Sequence, residues 1–359
     1  MSDDKAPWQP LAGVRVLDFS TYLPGPLASL MLAEAGAEVL KVEPPGGDPM
    51  RHLRVRSDDD GALFDMLNRG KRSVSLNLKS AAGQAFVREQ IRDTDVLIEQ
   101  FRPGVMQRLG CDYAVLSPLK PDLIYCSITG YGQSGPDAHK AGHDLNYQTE
   151  AGLVALATPP GAAPVLPSAL FADIAAGAYP ALTNILLALM QRDAGGQGAC
   201  LDIAMADNLS PFLFWAYPGL AQGRAPEAAA ELFTGGNARY RFYGTADNAW
   251  MALAPLEEPF WQRFCELIAL APELRDAPAD SQDCADAVEA IMRTKSAAAW
   301  EALFAGEDVC CSRVCLPTPG ALPPEAYQRI NTLVSSRFTQ SLAPAPALGE
   351  ANADYGMAP

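Results

Sequence analysis

The stretch Val14-Arg-Val-Leu-Asp-Phe-Ser20 decides the fold, because a helical segment, Pro24–Gly36, and a second apolar run, Glu38-Val-Leu-Lys-Val-Glu43, follow it directly. Short, continuous apolar runs are typical of parallel strands that are buried on both faces. Proline near the first turn and glycine near the end mark the limits of the intervening helix. The stretch therefore predicts a strand–helix–strand unit.

The same alternation continues along the chain. Further strands are predicted at Ser73–Leu78, Asp95–Phe101 and Asp122–Ile128, with a helix from about Ser80 to Thr94. Such alternation predicts an α/β fold with a large, Rossmann-like parallel sheet covered by helices on both faces. The first turn, Ser20-Thr-Tyr-Leu-Pro-Gly-Pro26, lacks the GxGxxG pattern, which disfavours a dinucleotide-binding enzyme.

A smaller domain is predicted after an Ala/Gly-rich connector at residues 223–235. Ala238–Tyr243 and Trp250–Ala254 flank a turn and read as a hairpin, and helical patterns follow to about Ala305. We therefore predict a large domain at 1–224, to which the C-terminal segment 316–359 returns, and a small α+β domain at 225–330.

Composition limits the possible functions. The 359 residues are 49% hydrophobic and carry a net charge of −15, which predicts a substantial core and disfavours binding to nucleic acid or to an anionic membrane. The apolar stretch Ala169–Met190 contains Asp173 and Pro180, so a buried helix explains it better than a membrane span. The N-terminus lacks the pattern of a signal peptide, and we expect a cytoplasmic protein.

The eight cysteines form no CxxC pair. The cluster Cys310, Cys311 and Cys315 has no neighbouring histidine, so we interpret it as reduced thiols and expect no metal site. Its role stays open.

Histidines are scarce, because the chain contains only His52, His139 and His143. His143 lies in Gly142-His-Asp-Leu-Asn-Tyr147, after a predicted strand and the Gly-rich turn 129–136. Loops after strand ends are where α/β enzymes usually carry reactive groups. The alternative is a surface or packed histidine beside Asp144, which would cap a helix.

Several motifs occur together and in order. They are Leu11–Phe19, Pro24–Pro26, Ala35–Glu43, Asn68–Ser73, Asp95–Gly104, Thr129–Pro136 and Ala141–Asp144. This set resembles the family III CoA-transferases (the CaiB/BaiF family), which also contain α-methylacyl-CoA racemase. The Gly142–Tyr147 segment and Ala254-Pro-Leu-Glu-Glu-Pro-Phe-Trp261 are similar to the racemase branch.

The resemblance implies a racemase or epimerase of 2-methyl-branched acyl-CoA thioesters, an activity of fatty acid metabolism. It assigns the acid/base pair to His143 and Asp173, a supporting role to Glu257, and an orienting or charge-stabilising role toward His143 to Asp144. Glu258 is the alternative to Glu257. Without the resemblance, Asp173 reads equally well as a helix N-cap.

The resemblance also implies that acyl-CoA is the substrate and that no cofactor is tightly bound. The positions that match CoA-contacting residues, or form a basic cluster, are Arg69, Arg72, Asn77, Leu78, Lys79, Gln100, Phe101, Arg102, Arg108, Ala141 and Gly142. Any single one of these cations can equally be a solvated surface charge. Members of the family form interlocked homodimers, in which Glu257 would reach the His143 site of the partner chain.

Two other functions stay open. In a CoA-transferase, Asp173 would attack the acyl thioester, pass through an anhydride and form an aspartyl-CoA thioester. An acyl-CoA-binding protein without activity is the third reading, which the presence of both a candidate acid and a candidate base disfavours. The acyl group is not determined by the sequence.

Overall fold

The computed structural model describes residues 8–55, 61–318 and 342–357. The chain forms two compact units, of which the first comprises Met1–Ala151, Ser168–Phe212 and Leu322–Pro359, and the second Gly152–Pro167 and Leu213–Ala321. This division falls after Phe212, ahead of the predicted limit at 224. The predicted limit at 330 lies outside the described residues.

The first unit contains a parallel sheet of six strands in the order β3-β2-β1-β4-β5-β6. The strands are β1 Arg15–Asp18, β2 Glu38–Glu43, β3 Arg72–Ser75, β4 Val96–Glu99, β5 Ile124–Thr129 and β6 Ala199–Ala204. In β1, β4 and β5 the apolar side chains are buried on both faces, as the continuous hydrophobic runs predicted, whereas β6 exposes Cys200. The α/β fold class is confirmed.

Because all six strands are parallel, the loops that follow them begin at the same edge of the sheet, where the carboxyl ends of the strands lie. The strand order reverses between β1 and β4: the strands that follow β1 are added on one side of this pair, and those that follow β4 on the other. In α/β sheets, ligands bind in the crevice at such a reversal.

The helices of both units are α1 Pro24–Glu34, α2 Ala62–Asn68, α3 Ala81–Gln90, α4 Val105–Arg108, α5 Tyr113–Leu116, α6 Asp144–Glu150, α7 Leu153–Ala157, α8 Phe171–Asp173, α9 Tyr179–Asp193, α10 Tyr217–Leu220, α11 Glu258–Leu267, α12 Pro272–Arg275, α13 Gln282–Met292 and α14 Ala297–Phe304.

The apolar helical segment Phe171–Asp193 is long and apolar enough to cross a membrane, by length and composition alone. In the first unit it packs against α1, β5 and β6. Ile185 and Leu189 are buried, whereas Leu187 and Met190 are exposed. The prediction of a buried helix therefore holds for one face only, because the residues spaced four apart, such as Ile185 and Leu189, are the ones that face the sheet.

The second unit contains an antiparallel sheet in the order β7-β8-β9. Strands β7 Arg241–Gly244 and β8 Trp250–Leu253 form the predicted hairpin, and β9 Cys311–Arg313 adds a third strand. The core is built around the aromatic rings of Trp261, Phe264 and Trp300. Cys311 of the cysteine cluster is therefore the first residue of β9. All eight cysteines are free thiols.

Candidate active site

A cavity of ≈ 330 Å³ lies at the carboxyl ends of β1, β4, β5 and β6, within the first unit. Its size is at the lower end of the range typical of small-molecule sites. His143 and Asp173 both line this cavity. The structure therefore brings together the two side chains that the sequence analysis paired.

The turn between β1 and α1 forms one side of the cavity. Pro24 and Pro26 have no backbone N–H, and the N–H of Gly25 donates to Gln100 Oε1 at 2.8 Å. The N–H of Leu27 donates to the Leu23 carbonyl within the same turn. The start of α1 therefore cannot cradle a diphosphate as a dinucleotide-binding helix does, in agreement with the missing glycine motif.

His143 is the residue immediately before α6, and its side chain is exposed. Its backbone N–H donates to Asn146 Oδ1 at 3.0 Å, and its carbonyl accepts from Asn146 N at 2.8 Å. The His143 side chain and the Asn146 side chain form a capping box at the start of α6, and among the described residues the imidazole makes no ion pair. The local sequence thus fixes the backbone of His143, while its exposed ring lines the cavity.

Tyr147, one turn further along α6, holds the loop that leads to His143. Its hydroxyl donates to the Gly142 carbonyl at 2.7 Å, and its ring is buried. A Cβ on Gly130 or on Gly142 would overlap this ring. Both glycines are therefore required for the close approach of the loop to the helix.

The same loop carries a cation that is already paired. Lys140 Nζ lies 2.9 Å from Glu150 Oε1, and the Tyr131 hydroxyl donates to Glu150 Oε2 at 3.0 Å. Of these three side chains, that of Lys140 lines the cavity. This exposed network contributes little stability, but it ties the loop to the end of α6.

Asp144, the first residue of α6, has hydrogen-bond partners on α8 and on its own helix. Its buried carboxylate accepts hydrogen bonds through Oδ1 from the backbone N–H of Ala172 at 2.7 Å and of Asp173 at 3.0 Å, and through Oδ2 from Gln148. These hydrogen bonds do not include the His143 side chain, so the orienting or charge-stabilising role of Asp144 toward His143 stays a prediction. Asp144 caps the short helix that carries Asp173.

Asp173 is half-buried and ends α8, where the chain passes into a π-helix, Ile174–Ala178. Burial, together with the negative charge of Asp144, raises the pKa of Asp173 to about 7. Single π-helical turns inside longer helices are frequent at functional sites. The carboxyl group can therefore both donate and accept a proton near neutral pH.

Five of the predicted CoA-contacting residues line the cavity. They are Gln100, Phe101, Arg102, Ala141 and Gly142. Arg102 is exposed, and among the described residues its guanidinium makes no hydrogen bond or ion pair. It is therefore a cation that can meet an anionic group at the cavity mouth.

The other predicted CoA contacts do not line this cavity. Arg69 and Arg72 precede or begin β3, so they lie toward the amino end of the strand, and they pair with Glu34 and Asp354 respectively. Asn77, Leu78 and Lys79 follow β3, and Arg108 ends α4, all outside the lining of the cavity. For Arg69 and Arg72 the reason is the direction of β3. The cavity lies at the carboxyl ends of the strands, whereas these two arginines lie at the amino end of β3.

The predicted small-domain carboxylates belong to the second unit. Glu257 is exposed and precedes α11, and among the described residues its carboxylate makes no hydrogen bond or ion pair. Glu258 pairs with Arg239 at 2.7 Å and accepts from Gln262, and these hydrogen bonds lower its pKa. Of these two glutamates, Glu257 is therefore the one without a partner among the described residues.

Sequence reasoning missed several residues of the cavity wall, among them Tyr22, Thr129, Gly130, Tyr147 and Met205. Thr129 ends β5, and Met205 directly follows β6. The rule that ligands bind at the carboxyl ends of parallel strands could have found these two. No local pattern indicated Tyr22, whose conformation is left-handed, with a φ of 61°.

Comparisons with known proteins agree with this architecture. A family model described as CoA-transferase family III matches residues 11–337. The α-methylacyl-CoA racemase of Homo sapiens is 32% identical over 348 residues, which cover 94% of this chain and 86% of the relative. The succinate–glutarate CoA-transferase of Agrobacterium fabrum is 37% identical over 275 residues, which cover 73% of this chain and 67% of the relative.

A solved structure has the same fold. The crystal structure of a CAIB/BAIF family protein from Brucella suis has a TM-score of 0.79 and 26% sequence identity to this chain. The match covers 98% of this chain and 99% of the other.

Proposed function

The chain belongs to CoA-transferase family III, and from that premise we propose that it racemises 2-methyl-branched acyl-CoA thioesters by removing and returning the α-proton. Family membership supports an enzyme that acts on CoA thioesters, and relatives of both activities have similar identity to this chain. The choice between the two activities therefore depends on the chemistry of the cavity.

One observation carries the proposal: His143 and Asp173 line the same cavity, and the pKa of Asp173 is raised to about 7. Racemisation requires one group that takes the α-proton and another that returns a proton to the opposite face. A neutral imidazole and a protonated carboxyl group meet this requirement. A group that acts only as a nucleophile gains nothing from a pKa that keeps half of it protonated at neutral pH.

The proposed reaction conserves protons in both directions. His143 takes the α-proton and becomes an imidazolium, the thioester becomes an enolate, and Asp173 gives its proton to the α-carbon. In the reverse direction, the Asp173 carboxylate is the base and the His143 imidazolium is the acid. The pair holds one proton before and after each turnover, but that proton has moved from Asp173 to His143, so proton exchange with solvent restores the starting form and is the route by which deuterium enters.

The enolate oxygen requires a hydrogen-bond donor that is already in place. The backbone N–H groups of Ala172 and Asp173 already donate to Asp144. Among the described residues, the N–H of Asp144 itself has no acceptor. We therefore expect the N–H of Asp144, beside His143, to serve as this donor.

The remaining parts of the proposal come from the resemblance. Arg102, with Gln100, Phe101, Ala141 and Gly142, would hold acyl-CoA as substrate, with no tightly bound cofactor. Glu257 would support the site in an interlocked homodimer, as its unpaired carboxylate allows. A cytoplasmic location is the corresponding expectation.

The test is α-proton exchange in deuterated water with (R)- or (S)-2-methylacyl-CoA and no carboxylic acid acceptor. We expect deuterium at the α-carbon together with interconversion of the two stereoisomers. His143→Gln and Asp173→Asn should each lower kcat/KM by about 100-fold or more, the range typical of a lost acid or base. His139→Gln is the matched control, because His139 is exposed and lies outside the cavity lining.

The second candidate function is CoA transfer through Asp173, which the identity to a succinate–glutarate CoA-transferase favours. In that case exchange is absent without an acceptor acid, and activity appears when one is supplied. Hydroxylamine would then trap an acyl-enzyme that Asp173→Asn cannot form, whereas His143→Gln would retain the covalent step.

A further inference from the structure

Tyr22 occupies an unusual backbone conformation in the turn between β1 and α1. Its φ of 61° lies in the left-handed region, which residues with a Cβ adopt only when the surrounding structure holds them there. Its side chain is 45% exposed and lines the cavity. A large aromatic side chain is thus held in a strained turn beside the candidate site.

A buried charge network holds this turn. Lys41 Nζ, which is fully buried, donates to the carbonyl of Ser20 at 2.8 Å and pairs with Asp48 at 2.9 Å. Asp48 Oδ1 in turn accepts a long hydrogen bond, 3.4 Å, from the backbone N–H of Tyr22. The chain is therefore fixed on both sides of the strained residue by groups that solvent does not reach.

The strained turn brings the ring of Tyr22 against His143. The two ring centroids are 6.5 Å apart and the ring planes make an angle of 78°, which is an edge-to-face contact. The capping box with Asn146 fixes the His143 side chain from the side of α6, and among the described residues the imidazole has no ion pair. Tyr22 supplies an aromatic surface on the side of the β1–α1 turn.

We propose that Tyr22 is a positioning residue that holds the His143 imidazole in the orientation required for proton transfer at the α-carbon. The inference rests on the proposed racemase function and assigns a role to a residue outside the acid/base pair. The ring, and not the phenol hydroxyl, carries the effect, because the contact with His143 is between rings. The left-handed backbone is what directs the ring toward the imidazole.

The test compares three variants at this position. Tyr22→Phe keeps the ring, Tyr22→Leu keeps bulk and backbone strain but removes the ring, and Tyr22→Gly relaxes the left-handed strain and so protects the fold. We expect Tyr22→Phe to retain full exchange activity. Tyr22→Leu and Tyr22→Gly should lower kcat by about five- to tenfold, the range for one aromatic contact, with little change in KM.

An independent readout comes from NMR of histidine-labelled protein, in which only three imidazoles contribute signals. Loss of the Tyr22 ring current shifts the His143 resonance in any case, so the informative quantity is the set of nuclear Overhauser contacts between the His143 ring and its neighbours. Tyr22→Leu and Tyr22→Gly should change these contacts and leave those of His52 and His139 in place, with an unchanged Tm. The positioning role is overturned if the His143 contacts stay the same, or if only KM changes. Should the wild-type protein show no exchange, the proposed function fails, while the contacts still report whether Tyr22 sets the ring orientation.

Discussion

The Asp144 carboxylate accepts a hydrogen bond from the backbone N–H of Asp173 at 3.0 Å, so that one carboxylate is held close to another. Burial is the larger cause of the raised pKa of Asp173, and the negative charge of Asp144 adds to it. Two neighbouring carboxylates resist simultaneous ionisation. Asp144 thus has two effects: it fixes the helix start and keeps Asp173 partly protonated near neutral pH.

Asp144→Asn removes the charge while the amide oxygen can still accept from Ala172 and Asp173, and only the hydrogen bond from Gln148 to the second oxygen is lost with it. We expect the pKa of Asp173 to fall, although burial keeps it above the ordinary value. Carbon-13 NMR of labelled aspartate measures this directly. Asp137→Asn, in an exposed loop outside the cavity lining, is the control and should leave the Asp173 titration in place. An unchanged Asp173 titration in Asp144→Asn would remove the role assigned to the Asp144 charge.

The pH dependence of kcat/KM should be bell-shaped in both reaction directions. The active enzyme holds one proton on the pair formed by His143 and Asp173, so activity falls when both groups are protonated and again when both are deprotonated. The two apparent values belong to the pair and not to either residue. Initial rates with each stereoisomer from pH 5 to 9 (a range of about four units around neutrality) test this. A rate that rises and then stays level indicates the nucleophile of a transferase.

Much of the fold and the core of the site could be predicted from the sequence. The apolar runs of β1, β2 and β5 identify a parallel sheet, and loops that follow such strands meet at one edge. His143 and Gln100 follow strands and reach the cavity. Arg69 and Arg72, by contrast, lie before and at the start of β3 and pair with Glu34 and Asp354, so their basic character alone did not indicate where they lie relative to the cavity.

The partners of Asp144 could not be read from the sequence. They depend on the approach of α8 to α6, two helices that the chain separates by the segment Leu153–Pro167, which belongs to the second unit. The left-handed turn at Tyr22 could not be predicted from the sequence either, because buried side chains hold it: Lys41 of β2 and Asp48 of the loop after β2. Local patterns carry no information on such tertiary contacts.

Arg102→Gln should weaken the binding of acyl-CoA without affecting the chemical step. The guanidinium has no partner among the described residues, so its removal leaves no protein charge unpaired, and we expect KM to rise about tenfold with kcat unchanged. Arg92→Gln, at an exposed arginine outside the cavity lining and outside the predicted CoA contacts, is the control. The same substitutions assayed with an acyl-pantetheine thioester, which lacks the nucleotide phosphates, should show no difference. An equal loss with both substrates would place Arg102 near the thioester instead.

Asp173→Asn should increase stability at alkaline pH. The folded-state pKa of about 7 lies above the ordinary value of 3.8, so the native state binds more protons than the unfolded state between these values, and stability falls as pH rises through that window. A neutral amide avoids this loss. After allowance for partial exposure, we expect a gain of about 1–2 kcal/mol at pH 8 and almost none at pH 4. Denaturant unfolding at both pH values measures it, and an equal effect at both would contradict the raised pKa.

Gly25→Ala should disrupt the cavity from its β1–α1 side. An added Cβ would overlap Ser20 Cβ and the Gln100 Oε1 that accepts the Gly25 N–H. Both atoms belong to packed structure, so relief requires the turn to move, at a cost of about 1–3 kcal/mol. Because that turn carries Tyr22 and Pro24 of the cavity wall, the exchange activity should fall together with Tm. Gly46→Ala is the matched control, since an added Cβ there meets open space, and it should leave both quantities unchanged. A Gly25→Ala protein with wild-type activity would show that the turn does not hold the site.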